Sequence, residues 1–202
     1  MFYPTLSQYY DQVFPLNPLA AAFLEKIIPP KGYVLDAACG TGSMALHLAA
    51  AGFSVLGIDL EPEMIRLAQK KEKTGNVRFV VDTMLNDTQW GPFDAVICLG
   101  NSLSHLETED DVVKFIQGIH RQLQPGGVVA IQIVNYDKVM AAGSAGLALP
   151  TLVGDGCRLE RLYVPDEHRM VQFHSKLHVS GVSYSNVIRL RPFLSGELLQ
   201  LL

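Results

Sequence analysis

The stretch VLDAACGTGSMA, Val34 to Ala45, constrains this chain more than any other. An apolar β-type run ends in an acid, Gly40 and Gly42 permit the positive φ of a tight turn, and small residues then open a helical pattern. A strand that turns this abruptly into a helix begins a strand–helix–strand unit. Such units stack into a parallel sheet with helices packed on its faces.

The chain downstream repeats the pattern. YVLDAA reads as a first strand, Ser43 to Ala51 as a helix, and FSVLGID as a second strand. EPEMIRLAQKKEK has acids in its first turn, Pro62 near its start and an apolar stripe through Met64, Ile65, Leu67 and Ala68, which predicts a helix. NVRFVV and FDAVICLG follow as third and fourth strands. A helix over Glu109 to Leu123 closed by PGG leads into GVVAIQIV as a fifth. The expected class is α/β, a Rossmann-like, mostly parallel sheet with helices on both faces.

AAGSAGLALP is small and flexible in character and predicts a linker or mobile loop. Beyond it the period changes to two. Val171, Phe173, Leu177 and Val179 share one face, while Met170, Gln172, His174, Lys176 and His178 share the other. Two or three antiparallel strands are expected within Cys157 to Leu190, with turns near VPDEH and SG, as an insertion able to cover an active site. His174 and His178 have no evident third ligand, so a solvated strand face is expected and metal is not. The division is therefore 1–140 with 191–202 as the ligand-binding domain and 141–190 as a β-rich insertion or substrate cap. The sequence stops at RPFLSGELLQLL, where Ser195 is placed to cap a helix.

Composition narrows the partners. At 202 residues and 49% hydrophobic content the chain supports one sizeable core. Net charge is −4, and apart from Lys70, Lys71 and Lys73 at a helix end the cations are scattered, which argues against nucleic acid. Three widely spaced cysteines, Cys39, Cys98 and Cys157, fit a reducing cytoplasm and no metal-ligand spacing. The N-terminus has neither a basic n-region nor an apolar h-region, and no membrane association is expected.

GTGSMA also matches the dinucleotide fingerprint G-x-G-x-x-G/A, which by itself points to a nicotinamide oxidoreductase. Asp36, four residues before Gly40, argues otherwise. A carboxylate beside a pyrophosphate is repelled, whereas S-adenosylmethionine has no phosphate and carries an ammonium and a sulfonium. Asp36 can help hold that cationic end, and the helix N-terminus near Ser43 favours the carboxylate of the same ligand. Asp59, 19 residues after Gly40, is placed for ribose hydroxyls in either ligand. Asp82 is a candidate partner for the adenine amino group, or else a turn or cap aspartate.

VLDAACGTG, GFSVLGID, FDAVICLGNSLSHL, LQPGG and NYD, in this order and spacing, resemble a class I S-adenosylmethionine-dependent methyltransferase, most of all the glycine/sarcosine N-methyltransferase group. The similarity covers roughly Tyr9 to Asp137 and fades to architecture beyond. It implies that Asp36, Ala38, Gly40 and Gly42 form the methionine-side loop, with Ala38 in place of a common glycine. It further implies that Asp59 and Leu60 contact ribose and adenine, that Asp82, Thr83 and Met84 form the adenine rim, and that the Leu99 carbonyl meets the methionine ammonium. His105 is expected beside the cofactor, as packing or a hydrogen-bond partner before a base, and Tyr10 over the reaction centre.

In that group the asparagine of GNS, here Asn101, touches the substrate amine, and an arginine just before NYD clamps the substrate carboxylate. This chain has Val134 there. Without that bidentate fork, free glycine is expected to be a poor acceptor, and the expected reaction is N-methylation of another small molecule. Arg158, Arg161 or Arg189 in the insertion is the alternative handle for that carboxylate, with surface charge the expected role of each. Class I enzymes usually end in a helix and a strand pair beside strand five; that pair is missing here, so a truncated chain, an exposed apolar edge at VVAIQIV and self-association into a homo-oligomer are expected. A cofactor-binding module without catalysis is the other reading left open.

Overall fold

The parallel sheet is built from Tyr33–Ala37 (β1), Ser54–Asp59 (β2), Val77–Val81 (β3), Phe93–Cys98 (β4) and Leu123–Ile131 (β5), in the order β3-β2-β1-β4-β5. The computed structural model describes residues 2–86 and 90–201. The register places Asp36 opposite Gly57 and Ile97, and Asp59 opposite Val81. The residues that follow β1, β2, β3 and β4 therefore emerge at one edge of the sheet, where an open α/β sheet positions its chemistry.

The central strands read as continuous apolar runs because both faces are covered. Ser43–Ala50 (α3) and Pro62–Lys71 (α4) bury Leu48 and Ala68 completely, and Pro18–Ile27 (α2) adds Leu24 to the same core. Each buried leucine stabilises the fold by roughly 1.5–3 kcal/mol. Asn17 starts α2, its Oδ1 accepting from the backbone N–H groups of Leu19 and Ala20. Glu109–Gln122 (α5) carries Glu109, Asp110 and Asp111 in its first turn and His120 and Arg121 in its last, matching the helix dipole at both ends.

The chain divides into two compact units. Residues 16–102 and 113–132 form the parallel-sheet unit, and 1–15, 103–112 and 133–202 form the other. The second unit is an antiparallel sheet of Leu147–Gly154 (β6), Cys157–Pro165 (β7), Val171–Val179 (β8) and Val182–Leu190 (β9), in sequential order. Phe2–Val13 (α1), Tyr136–Ala141 (α6) and Ser195–Leu201 (α7) belong to this unit. Leu6 and Val13 of α1 pack with Leu159 and Leu177, and Tyr136 and Val139 of α6 pack with Tyr163 and Val171.

Three local expectations change. AAGSAGLALP is not a loop throughout: Ala141 ends α6, and Leu147 to Pro150 lie in β6, whose backbone pairs with β7 from Leu147↔Tyr163 onward. PGG does not follow α5 as a stop. The helix ends at Gln122, and Pro125 to Gly127 sit inside β5 at the register shift between Phe93↔Leu123 and Ala95↔Val128. Ser195 is the first residue of α7 rather than its cap; its N–H donates to Asp137 Oδ2 at 3.2 Å. The alternation over 170–179 holds, with Val171, Ser175, Leu177 and Val179 buried and Gln172 and Lys176 exposed. Among the described residues no helix is long and apolar enough to cross a membrane.

Candidate functional site

The glycine loop joins the end of β1 to α3. Ala38, Gly40 and Gly42 all have positive φ, at 62°, 57° and 78°. Glycine does this without cost, while alanine gives up roughly 1 kcal/mol per residue, so the departure at Ala38 keeps the backbone course at a small price in stability. Gly42 also needs its missing side chain: a Cβ there would lie 2.5 Å from the Phe79 ring.

Two carboxylates organise this edge. Asp36 is 2% exposed and accepts from the backbone N–H of Ala45 in the first turns of α3. Burial, reinforced by the charge of Asp59, pushes its pKa up to about 7 against the weaker pull of that hydrogen bond. Asp59 bridges two loops, Oδ2 accepting from Gly40 N at 2.8 Å and Oδ1 from Glu61 N at 2.9 Å. Cys39 lies in the same field, and burial followed by the two aspartates raises its thiol far above the ordinary range, leaving it protonated and inert. A buried acid next to a second acid is a poor neighbour for phosphate and a good one for a cation.

The other positions expected at this edge are distributed along it. Leu60 is 73% exposed beyond β2. Asp82 closes a turn: Oδ1 accepts from Thr83 N and Asn86 Nδ2, both at 2.8 Å, and Oδ2 from Trp90 Nε1 at 3.1 Å. Thr83 and Met84 border a small internal space with Leu35, Ala37 and Ile58. Trp90 went unremarked in the sequence. It ties to Asp82 and lies beneath the Arg78 guanidinium, 4.8 Å from its ring centre. Its signal was its being the one tryptophan of the chain, placed shortly after a candidate acid.

After β4, Gly100 and Asn101 both turn through positive φ, 67° and 74°. Asn101 is 8% exposed, and its N–H donates to the Gln132 carbonyl at 3.0 Å, locking the turn to the chain after β5. The Leu99 carbonyl accepts from Ser102 Oγ at 2.9 Å, so a further donor would share it.

Tyr10 and His105 belong to the antiparallel unit. Tyr10 is half-buried on α1 and packs against Phe14, ring centres 5.0 Å apart. His105 ends a 3₁₀ turn over Ser102–His105 and is exposed. In NYD, Asn135 caps α6 through Lys138 N at 3.0 Å, Tyr136 is buried and Asp137 holds Ser195, so each residue has a local structural task. His178 faces Ser183 Oγ at 2.8 Å and Glu160 at 3.2 Å, a polar cluster on the outward face of the sheet.

Residues 34–127 match the model of a methyltransferase domain. The chain is 32% identical over 170 residues to a glycine/sarcosine N-methyltransferase of Halorhodospira halochloris, covering 82% of this chain and 63% of that protein. It is also 32% identical over 164 residues to the glycine/sarcosine N-methyltransferase of Aphanothece halophytica, covering 78% and 60%. This chain thus spans about three fifths of the length of these curated relatives. A solved structure with the same fold is CalS10 bound to S-adenosylmethionine, an amino pentose methyltransferase of Micromonospora echinaspora. It has a TM-score of 0.74 and 20% identity, with coverage of 100% of this chain and 87% of that one. The glycine loop with its buried acid, the sheet order and these matches together place the chain among the class I S-adenosylmethionine-dependent methyltransferases.

Proposed function

We propose that this chain transfers the methyl group of S-adenosylmethionine to the nitrogen of a small-molecule amine. The carrying observation is Asp36, a fully buried carboxyl held between the end of β1 and the first turns of α3, beside a second acid and a loop of three positive-φ residues. A cationic ligand end lowers the cost of ionising that acid. The relatives support the acceptor class, since two carry glycine and sarcosine in their names and one an amino pentose.

When bound, S-adenosylmethionine supplies an electrophilic methyl on a sulfonium. Asp36 would hold the ammonium, the N–H groups at the start of α3 the carboxylate, Asp59 the ribose, and Asp82, Thr83 and Met84 the adenine. In the transfer the S–CH₃ bond breaks as the N–CH₃ bond forms, and the amine then loses a proton to water. The positive charge passes from sulfur to nitrogen and is dispersed between them in the transition state, so alignment contributes more than a strong base. Asn101 is the proposed contact of the acceptor amine. Val134, where the resemblance places an arginine, leaves free glycine without its handle.

Calorimetric titration tests the ligand. S-adenosylhomocysteine is expected to bind and NADH not, and binding of NADH alone would overturn the reading. In an acceptor panel with S-adenosylmethionine, glycine is expected at least tenfold below the best amine in kcat/KM. Equal turnover of glycine would remove the inference from Val134.

A further inference from the structure

The loop that leaves β3 is laced to itself by one side chain. Asp82 stands at its start and Trp90 eight residues on, and the Trp90 indole Nε1–H donates to Asp82 Oδ2 at 3.1 Å. Trp90 is gripped in turn from two elements of the same parallel-sheet unit. The Arg78 guanidinium of β3 lies 4.8 Å from its ring centre, and its backbone N–H donates to Gln122 Oε1 of α5 at 3.4 Å. Gln122 is tied to its own helix, Nε2 donating to the Gly118 carbonyl at 3.4 Å. An indole held by sheet and helix thus passes its position to an acid on a loop.

The hydrogen bonds of that acid are nearly filled. A carboxylate accepts about four, two on each oxygen. Asp82 Oδ1 takes Thr83 N and Asn86 Nδ2, both at 2.8 Å. Among the described residues Oδ2 takes the indole alone, which leaves one acceptor position on the oxygen that Trp90 holds. Asp82, Thr83, Met84 and Trp90 border one internal space, closed on its other sides by Leu35 of β1 and Phe115 of α5. A phenylalanine would offer Arg78 a ring as well; the N–H toward Asp82 is what tryptophan adds. A half-buried carboxylate with one oxygen fixed and one acceptor position left is built to receive a single N–H donor.

We propose that Trp90 is a positioning residue for the purine end of S-adenosylmethionine, fixing Asp82 Oδ2 so that its remaining acceptor position meets the exocyclic amino group and rejects a 6-oxopurine. This rests on the assignment of Asp82 to the adenine above and deepens it. An amino group donates to that oxygen, whereas a carbonyl in its place sets acceptor against acceptor. A site built around one donor discriminates against the analogue that lacks it. The discrimination requires the acid to stay in place, and the indole supplies that restraint.

The test compares, by calorimetry, S-adenosylhomocysteine with S-inosylhomocysteine, in which oxygen replaces the amino group. The wild type is expected to prefer the adenosyl compound at least tenfold. Trp90→Phe, which keeps a ring for Arg78 and removes the N–H, is expected to cut that preference at least threefold. Asp82→Asn is expected to abolish it, and adding Trp90→Phe to Asp82→Asn to change it no further. A tryptophan that merely staples the loop would lower both affinities by the same factor, so an unchanged preference in Trp90→Phe overturns the proposal. Equal affinity of the wild type for the two compounds also overturns it, while leaving the cofactor reading intact. Failure of both to bind would sink the cofactor reading itself, and the proposal with it.

A second readout needs no variant to fold. Trp90 is the one tryptophan of the chain, so its ¹⁵N-labelled indole signal is identified without mutagenesis. Saturating S-adenosylhomocysteine is expected to shift that signal, and saturating S-inosylhomocysteine to shift it less than half as far. No shift with the adenosyl compound, or the same shift with both, overturns the proposal.

Discussion

The two sheets of this molecule carry information in different ways. In the parallel sheet the proposed site residues lie where strands end: Asp36 stands one residue before the end of β1, Asp59 closes β2 and Asn101 follows β4, with positive-φ turns beside them. In the antiparallel sheet polar side chains are gathered across a face, where the register aligns Arg161, Ser175 and Asn186 from three strands in one row. The first arrangement depends on backbone turns that only small residues can make and so resists substitution. The second depends on alternation, which tolerates changes at the turns and concentrates consequence in one row of side chains.

The same substitution in each region separates these cases. Gly42 and Gly181 have nearly equal φ, 78° and 80°. A Cβ on Gly42 meets Phe79 at 2.5 and 2.7 Å and Ala68 at 3.0 Å, with the ring wedged against the end of the loop. Gly42→Ala is expected to cost about 3 kcal/mol or more, combining the backbone penalty with overpacking. S-adenosylhomocysteine affinity should fall with it, because the loop and the start of α3 move together. Urea unfolding and calorimetry check both. A loss below about 1 kcal/mol would mean that Phe79 yields freely and that the loop is less constrained than its geometry indicates.

Asp36 gives the next largest effect, and its sign depends on pH. Below about pH 4 the carboxyl is protonated in folded and unfolded chains alike and costs nothing. Between there and about 7 the unfolded chain ionises while the folded one stays neutral, so stability drains away as pH rises; above 7 the loss is complete. The shift corresponds to roughly 4 kcal/mol at most. Glu63, Glu72 and Asp166 have lowered pKa values, so their contribution is lost as pH falls and runs opposite to that of Asp36 at the acidic end of the window. Asp36→Asn is expected to match the wild type at about pH 4 and to melt at a higher temperature at pH 8 without ligand. S-adenosylhomocysteine should bind it at least tenfold more weakly at pH 8, and the wild type should release protons on binding near pH 7. Calorimetry in buffers of different ionisation enthalpy measures that release. A flat melting temperature between pH 5 and 8 in the wild type would remove the buried acid from the account.

Legibility in the sequence follows the same division. The parallel strands were readable because continuous apolar runs ended in acids and glycines, and β1 to β4 lie within a residue or two of the expected runs. α1 was not readable: FYPTLSQYYDQV mixes Pro4 with three tyrosines, and only packing on β6 and β7 makes its Leu6 and Val13 core residues. LALP reads as loop because nothing local marks a strand whose partner lies ten or more residues ahead. At the site, the positions of Asp36 and Asp59 were legible from spacing. The titration of Asp36 and the bond between Trp90 and Asp82 were not, since both depend on what folding places beside them. Arg161 is the clearest instance: alternation assigns its face, yet only the structure shows that no carboxylate among the described residues pairs with it.

Gly181 supplies the smallest effect and the sharpest contrast. It forms a two-residue hairpin with Ser180, both at positive φ, and the flanking pair Val179↔Val182 closes the turn. Nothing lies within 4 Å of where its Cβ would stand. Gly181→Ala therefore pays only for placing alanine in the left-handed region, about 1 kcal/mol. The turn belongs to the antiparallel unit and the glycine loop to the parallel-sheet unit, so S-adenosylhomocysteine affinity should not change. A loss comparable to that at Gly42 would show that the hairpin sets the register of the whole antiparallel sheet, and the distinction between loop-held and face-held side chains would then have to be abandoned. If the loss stays near 1 kcal/mol, the turn is a connector, and the stability of that unit resides in its packed inner face.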